Sequence, residues 1–432
     1  MRRAPCLLAL VLVASVLGGG CGRPRPNVLI LVMDTTRGDR VSINGYPRPT
    51  TPRLEQLAKD AVTFANAWAP EGWTGPTHAS LFTGLDPKHH GFIESNRPFL
   101  GEESTTLAER LLAEGYKTAC YSNNWVVSPE WGLAQGCELY EAMYKVERTA
   151  TPARETHRRA LAWAIERKAK GEPFYLFIND IEPHVPYEPA RDVAQRFLPA
   201  DVPEDEVQAA MKFNHPDGMG YIFGAVEVSD AKIRLFSDLY DAEIAALDHE
   251  IGTLIDGLRD AGILDETIVV ITADHGENLG DHGLLDHKFS LHRTLTHVPL
   301  LVRWPGVFDG GRKVDDVVRL VDVAPTILDL LGLEREGLDG TSLRGDVTGR
   351  RAYAVWGAWR RAEEEMKQRY PTGDLSPLLL SIEAVTAERH HFIRYSDGRE
   401  ELYDLAVDPA ETTNLAEREP ALRDRMYSLL RP

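Results

Sequence analysis

The residues best equipped for chemistry in this 432-residue chain are a hydroxyl and a set of carboxylates and histidines. Trp73–Gly84 reads W-T-G-P-T-H-A-S-L-F-T-G, a Thr followed by Gly75, Pro76 and a short helical run. Proline suits the start of a helix, where its missing N–H leaves no bond unmade. Thr74 is therefore expected just before a helix N-terminus, where unpaired amides and the helix dipole favour negative charge. A nucleophilic oxygen or a bound oxyanion fits there. Taken alone, the stretch is that of an ordinary Thr cap.

Two further stretches change that reading. Asn27–Asp34 (N-V-L-I-L-V-M-D) is a continuous apolar run ending in a carboxylate, and Thr267–Glu277 (T-I-V-V-I-T-A-D-H-G-E) is a second, leading to Asp274-His275. Runs that are apolar throughout, rather than alternating, read as strands buried on both faces of a parallel sheet. Ligands of open α/β sheets bind beyond the carboxyl ends of the strands. Asp34, Asp274 and His275 are thus expected at one sheet edge, where a divalent cation would bind them together with Thr74.

Six or more motifs in order then give a family resemblance over nearly the whole chain. P-N-V-L-I-L-V-M-D-T-T-R from Pro26, N-G-Y at Asn44–Tyr46 and T-P-R-L at Thr51–Leu54 come first. T-G-P-T-H-A-S-L-F-T-G from Thr74, E-P-H-V-P-Y at Glu182–Tyr187 and A-D-H-G-E from Ala273 follow. V-P-L-L-V-R-W-P-G from Val298 and E-L-Y-D-L-A-V-D-P-A-E-T-T-N-L-A from Glu401 complete the series. The chain resembles the sulfatase family of the alkaline-phosphatase superfamily. The resemblance implies that Asp34 is the first metal carboxylate, Thr74 the nucleophile position, His184 a substrate histidine, and Asp274-His275 the second metal motif. It also implies an active-site lysine. Lys288 lies eleven residues before Pro299, as that lysine does in the family, whereas counting from Asp274 selects His287; Lys288 is preferred.

The departures from the family pattern carry information too. Family sulfatases have Cys or Ser at the position of Thr74 and oxidise it to formylglycine, an aldehyde that Thr cannot yield by the same route. His78 replaces an Arg, and Thr35 replaces a second Asp. An unmodified Thr nucleophile resembles the phosphatase, phosphodiesterase and phosphoglycerol-transferase branches of the superfamily.

Composition sets the outer bounds. Apolar residues at 43% are ample for a core, and the length allows one large domain plus a smaller one. The formal charge is −18, and loss of Arg2 and Arg3 with a leader would make it −20. Nucleic acid is excluded as a partner, because phosphate contacts need a basic face. Met1-Arg2-Arg3 and the apolar Cys6–Leu17 read as a signal peptide, since the run is shorter than the ~20 residues of a membrane span. Gly18-Gly19-Gly20-Cys21 resembles a lipoprotein cleavage site with Cys21 lipidated; an ordinary secretory signal is the alternative. Either way the protein is expected outside the cytoplasm, periplasmic or on the cell surface, touching membrane only through an anchor at Cys21. Cys120 and Cys137 either pair in an oxidising compartment or are two small buried residues.

The elements that must position these residues follow a β-α-β rhythm. Arg53–Trp68 reads as an amphipathic helix, Ser104–Glu114 as another, and Lys117–Ser122 as a strand. A helix near Thr156–Lys170 leads to a strand at Pro173–Asp180, which ends near the proline-flanked His184. From Pro189 to Val228 the rhythm is lost, consistent with an insertion over the active-site edge. Ser229–Gly262 is a long helix, Thr267–Thr272 a central strand and Leu320–Leu333 a loop into a helix. His275–His297 holds five histidines, His275, His282, His287, His292 and His297. Beyond Gly349 the strands shorten and alternate, with a hairpin at His391–Leu405 turning at Asp397-Gly398 and a closing helix near Glu417–Leu430. The expected fold is α/β: a mostly parallel central sheet flanked by helices, with a small C-terminal antiparallel-sheet subdomain. The expected divisions are a leader over 1–21, a tether over 22–26, a catalytic domain over 27–348 and the subdomain over 349–432.

The expected activity is metal-dependent hydrolysis of a sulfate, phosphate or phosphonate monoester on a small molecule, glycan or lipid. Asp34, Thr74, Asp274 and His275 would hold one divalent ion, with mixed O/N ligation suiting Mn²⁺ or Zn²⁺ better than Ca²⁺. Lys288 would balance charge on the transferring group, and His184 or His78 would protonate the leaving oxygen. A phosphoglycerol- or phosphoethanolamine-type transferase and a binding lipoprotein without catalysis are the alternatives.

Overall fold

The computed structural model describes residues 25–93, 99–146 and 151–430. The leader, Cys21 and most of the tether lie outside them. The centre is an eight-stranded sheet. Its strands are β1 (Asn27–Met33), β2 (Val62–Phe64), β3 (Lys117–Ser122), β4 (Leu139–Ala142), β5 (Phe174–Asp180), β6 (Thr267–Thr272), β7 (Leu300–Arg303) and β8 (Arg312–Val314). They lie in the order β8-β2-β7-β6-β1-β5-β3-β4. Strands β6, β1, β5, β3 and β4 run parallel, while β7 is antiparallel to both β6 and β2. The sheet is therefore mixed, with its parallel stretch at the centre.

Strand β1 is buried on both faces, as its unbroken apolar run requires. Val28, Ile30 and Val32 pack with Ala79, Leu81 and Phe82 on one side. Leu29, Leu31 and Met33 face Leu239, Ile244 and Leu247 on the other. Each such side chain withdrawn from water stabilises the fold by roughly 1.5–3 kcal/mol. The first layer contains α2 (Thr74–Thr83), and the second is built on α4 (Asp230–Asp260), whose N-cap Ser229 accepts the Lys232 amide. Helix α3 (Pro152–Lys170) packs beside α4. Among the described residues no helix is long and apolar enough to cross a membrane.

One local expectation is corrected. The helix read over Arg53–Trp68 stops early: α1 covers Pro52–Ala58, Val62–Phe64 is strand β2, and Ala67–Trp68 joins His297–Val298 and Val318–Arg319 in a small sheet. Leu54, Leu57 and Ala61 do fall at helical spacing, but Val62-Thr63-Phe64 are strand formers and β7 and β8 offer them partners on both sides. The stretch from 189 to 228, read as an insertion over the active-site edge, holds short helices at Arg191–Ala194, Glu204–Met211 and His215–Ile222.

Towards the C-terminus, β9 (Arg351–Trp356), β10 (Ile382–Ala387), β11 (His390–Tyr395) and β12 (Glu400–Asp404) form an antiparallel sheet in that order, with a helix at Pro420–Leu429 packed on it. Gly398 takes φ 94° at the β11–β12 turn, where the hairpin was expected. Cys120 and Cys137 form a disulfide that pins β3 to the approach to β4.

Candidate functional site

Strand register alone brings the expected ligands together. Val32 of β1 pairs with Thr272 of β6 and with Asn179 of β5, and Asn179 pairs with Ser122 of β3. Two residues past Val32, Thr272 and Ser122 stand Asp34, Asp274 and Asn124. All three lie at the carboxyl edge of the sheet, where ligands of such sheets bind.

One ligand atom from each of Asp34, Asp274 and His275 lies within 4.8 Å of the others, and all three residues are fully buried. Asp34 Oδ2 accepts from Asn124 Nδ2 at 2.8 Å and from Asn179 Nδ2 at 3.1 Å. Asp274 Oδ1 accepts the amides of Thr35 at 3.0 Å and His275 at 2.9 Å. Thr35 holds φ 55°, an outlier for a β-branched residue, and the Tyr240 hydroxyl donates to its carbonyl. The remaining oxygens, Asp34 Oδ1 and Asp274 Oδ2, are buried without a hydrogen-bond partner, and Asp274 Oδ2 lies 3.3 Å from His275 Nε2. Burial pushes Asp34 up to about 6 and Asp274 up to about 7, with the mutual repulsion of the two carboxylates adding to the effect on Asp34. His275 Nδ1 lies 2.9 Å from the Gly276 carbonyl and donates to it, which leaves Nε2 as a lone pair 3.4 Å from Thr74 Oγ1. Gly276 is required here, because a Cβ would lie 1.9 Å from the Thr294 carbonyl oxygen. Two unsatisfied carboxylate oxygens, an imidazole lone pair and a hydroxyl converge, and this donor set fits a divalent cation.

Thr74 is the first residue of α2, with Trp73 as its N-cap, so it lies one position inside the helix rather than before it. Its side chain is buried, and Asn124 Nδ2 lies 3.5 Å from Oγ1. A Cβ on Gly75 would meet Phe92 Cζ at 2.4 Å, so only glycine lets this turn approach the Phe92 ring. Thr74 also lines a cavity of about 510 Å³, together with Asn124, His184, His215, His287, Lys288 and the indoles of Trp73, Trp125, Trp131 and Trp359. The Lys288 ammonium stands 5.9 Å from the Trp73 ring centre and 5.4 Å from that of Trp359.

His78 and His184, both expected as proton donors, are placed differently. His78 lies beneath the site, absent from the cavity wall and fully buried between Phe82 and Phe177. Its Nδ1 donates to the Thr74 carbonyl at 2.9 Å and lies 3.6 Å from Asp274 Oδ2, so it ties α2 to the ligand set. His184 does line the cavity, but its Nδ1 lies 2.7 Å from the Val185 carbonyl and donates to it. The lone pair at Nε2 is what remains, and burial together with the neighbouring His215 holds the ring well below the usual histidine range. A neutral ring of this tautomer accepts a proton or a metal; it does not donate toward a leaving group.

Sequence reasoning missed Asn124, Asn179, His215 and the four indoles. Asn124 was within reach, because it follows strand β3 as Asp34 follows β1. His215 gave no local signal; only packing of the 189–228 segment over the edge brings it in.

Residues 26–333 match the family model described as Sulfatase, and residues 280–429 match one described as N-sulphoglucosamine sulphohydrolase, C-terminal. An arylsulfatase of Clostridium perfringens is 23% identical, covering 91% of each chain. An N-acetylglucosamine-6-O-sulfatase of Bacteroides thetaiotaomicron is 24% identical, over 96% of this chain and 88% of that one. Among solved structures, a phosphonate monoester hydrolase of Agrobacterium radiobacter superposes with a TM-score of 0.76 at 23% identity, covering 94% of this chain and 95% of its own, a likeness of fold.

Proposed function

The chain belongs to the sulfatase family, and from that premise we propose that it is an ester hydrolase that cleaves sulfate, phosphate or phosphonate monoesters with Thr74 Oγ1 as nucleophile and a divalent cation at Asp34, Asp274 and His275. The observation that carries this reading is the convergence of two unpartnered carboxylate oxygens and the His275 lone pair beside the Thr74 hydroxyl. The cation, Mn²⁺ or Zn²⁺ by its mixed oxygen and nitrogen donors, supplies a Lewis acid that lowers the hydroxyl pKa.

Thr74 Oγ1 gives up its proton to solvent and attacks sulfur or phosphorus in line with the leaving oxygen, forming a Thr74 ester and breaking the substrate ester bond, and the leaving oxygen takes a proton from solvent. The first amides of α2 and the Lys288 ammonium stabilise charge on the equatorial oxygens. Asn124 aligns the attacking hydroxyl with Asp34 through one amide group. Water then hydrolyses the Thr74 ester. Oxidation of Thr would give a ketone and not an aldehyde, which supports reading Thr74 as an unmodified hydroxyl nucleophile. The indole walls suit an aryl or sugar ring on the leaving side. Export is part of this reading: the Cys120–Cys137 bond suits an oxidising compartment, and the Cys6–Leu17 run and Cys21 support a leader with a lipid anchor.

The test uses p-nitrophenyl sulfate, p-nitrophenyl phosphate and a phosphonate monoester, each with Mn²⁺, Zn²⁺ and Ca²⁺. Thr74→Ala is expected to lower kcat by at least ~10³-fold with bound metal retained, and Thr74→Ser to keep measurable turnover. Unchanged kcat in Thr74→Ala would remove the nucleophile assignment.

A further inference from the structure

Next to the Thr74 centre, three histidines from three separate elements form an arrangement that the hydrolytic reading does not need. His184 comes from the loop after β5, His215 opens the helix His215–Ile222, and His287 follows the short ribbon that pairs Asn278–Leu279 with Leu285–Asp286. Their ring centres form a nearly equilateral triangle, with sides of 4.8, 4.9 and 5.0 Å. One ring nitrogen from each lies within 4.8 Å of the others.

The second nitrogen of every ring is already held. His184 Nδ1 lies against the Val185 carbonyl at 2.7 Å, His215 Nδ1 against Asp286 Oδ2, and His287 Nδ1 against Glu277 Oε1 at 3.2 Å. Asp286 and Glu277 are both almost fully buried, 1% and 0% exposed. Buried carboxylates that each orient an imidazole are the outer partners of metal-ligating histidines, fixing tautomer and direction and raising ligand basicity. Close packing maintains the geometry: a Cβ on Gly218 would lie 2.9 Å from Asp286 Cβ, so glycine lets the His215 helix settle onto that carboxylate.

We propose that His184, His215 and His287 form a second divalent-cation site, of the zinc type, in the wall of the cavity that holds Thr74. Three imidazoles with one open position are the ligand set of a catalytic zinc, and imidazole is its preferred nitrogen donor. All three histidines line the same 510 Å³ cavity as Thr74 and Lys288. The His275 and His287 ring centres lie 4.6 Å apart with the planes tilted by 35°, so the two sets are neighbours without sharing a ligand. The assignment goes beyond the hydrolytic reading and does not require Thr74 to be the nucleophile.

The experiment is zinc uptake by the chelated full chain, measured by elemental analysis after dialysis against Zn²⁺. Wild type is expected to bind two equivalents, and His215→Ala and Asp274→Asn one each. A single equivalent that His215→Ala leaves intact would overturn the second site and spare the Thr74 centre. A single equivalent lost in His215→Ala but kept in Asp274→Asn would support the histidine site and remove the other. Should His215→Ala fail to fold, crystals of the wild type soaked in Zn²⁺ decide the matter by anomalous scattering. A peak between the three rings supports the site, and no peak at saturating Zn²⁺ overturns it.

Discussion

Asp34 gives one oxygen to two amide side chains and keeps the other free, and this division of labour shows how single residues build the centre. Asn124 serves two neighbours at once, donating to Asp34 at 2.8 Å and reaching Thr74 Oγ1 at 3.5 Å. Asn124→Ala is therefore expected to weaken metal affinity by 10–100-fold and to lower kcat in parallel, measured by metal titration and by steady-state kinetics at saturating metal. Full metal affinity in that variant would show that Asn179 alone orients Asp34. His78 illustrates the opposite case. Its position in the nucleophile motif suggested an acid, yet its ring lies under the helix and works by holding Thr74 and Asp274 in place.

At the scale of elements, the parallel register of β1, β5, β6 and β3 does most of the assembly, and helix α2 adds the hydroxyl. Strand β3, which carries Asn124 two residues past its end, is braced from the other side by the Cys120–Cys137 bond across a separation of 17 residues. A cross-link over a loop of that length removes unfolded-chain entropy worth ~3 kcal/mol. The Cys120→Ser, Cys137→Ser double variant should lose about that much stability by denaturant titration. Its turnover at low temperature should stay close to wild type, because Asn123 and Asn124 keep their own hydrogen bonds to β5 and to Asp34.

At the scale of the whole molecule, the C-terminal sheet is fastened to the histidine-rich segment. Glu411 accepts the Arg293 amide at 2.8 Å and the His391 ring at 2.5 Å, and His292 meets Glu401 at 2.9 Å. Burial by itself would raise Glu411, but the charge and hydrogen bond of His391 outweigh it and bring Glu411 from 4.5 down to about 2. A depressed carboxylate contributes stability that is present above its unfolded value and lost as pH falls toward the folded one. Acid should therefore loosen this junction between pH 4.5 and about 2, by on the order of 3 kcal/mol. Glu411→Gln should be less stable than wild type near pH 6 and converge with it toward pH 2, as read by denaturation at several pH values. A constant gap across that range would show that the carboxylate charge is not what holds the junction.

Sequence alone determined the elements whose pattern is strongly periodic or uninterrupted. The apolar runs before Asp34 and Asp274, the long helix Asp230–Asp260 and the hairpin at Gly398 were legible because local composition and burial agree there. The candidate ligands Asp34, Thr74, Asp274 and His275 were legible for the same reason: each sits at the end of such an element. What only the tertiary structure decided is pairing. Strand β2 was read as helix because its partners β7 and β8 lie far along the chain. Asn179 and His215 became site residues only when sheet register and the 189–228 segment carried them to one edge. Proton positions on His184 and His78 were set by which carbonyl each ring reached, a matter of distances that no spacing in the sequence encodes.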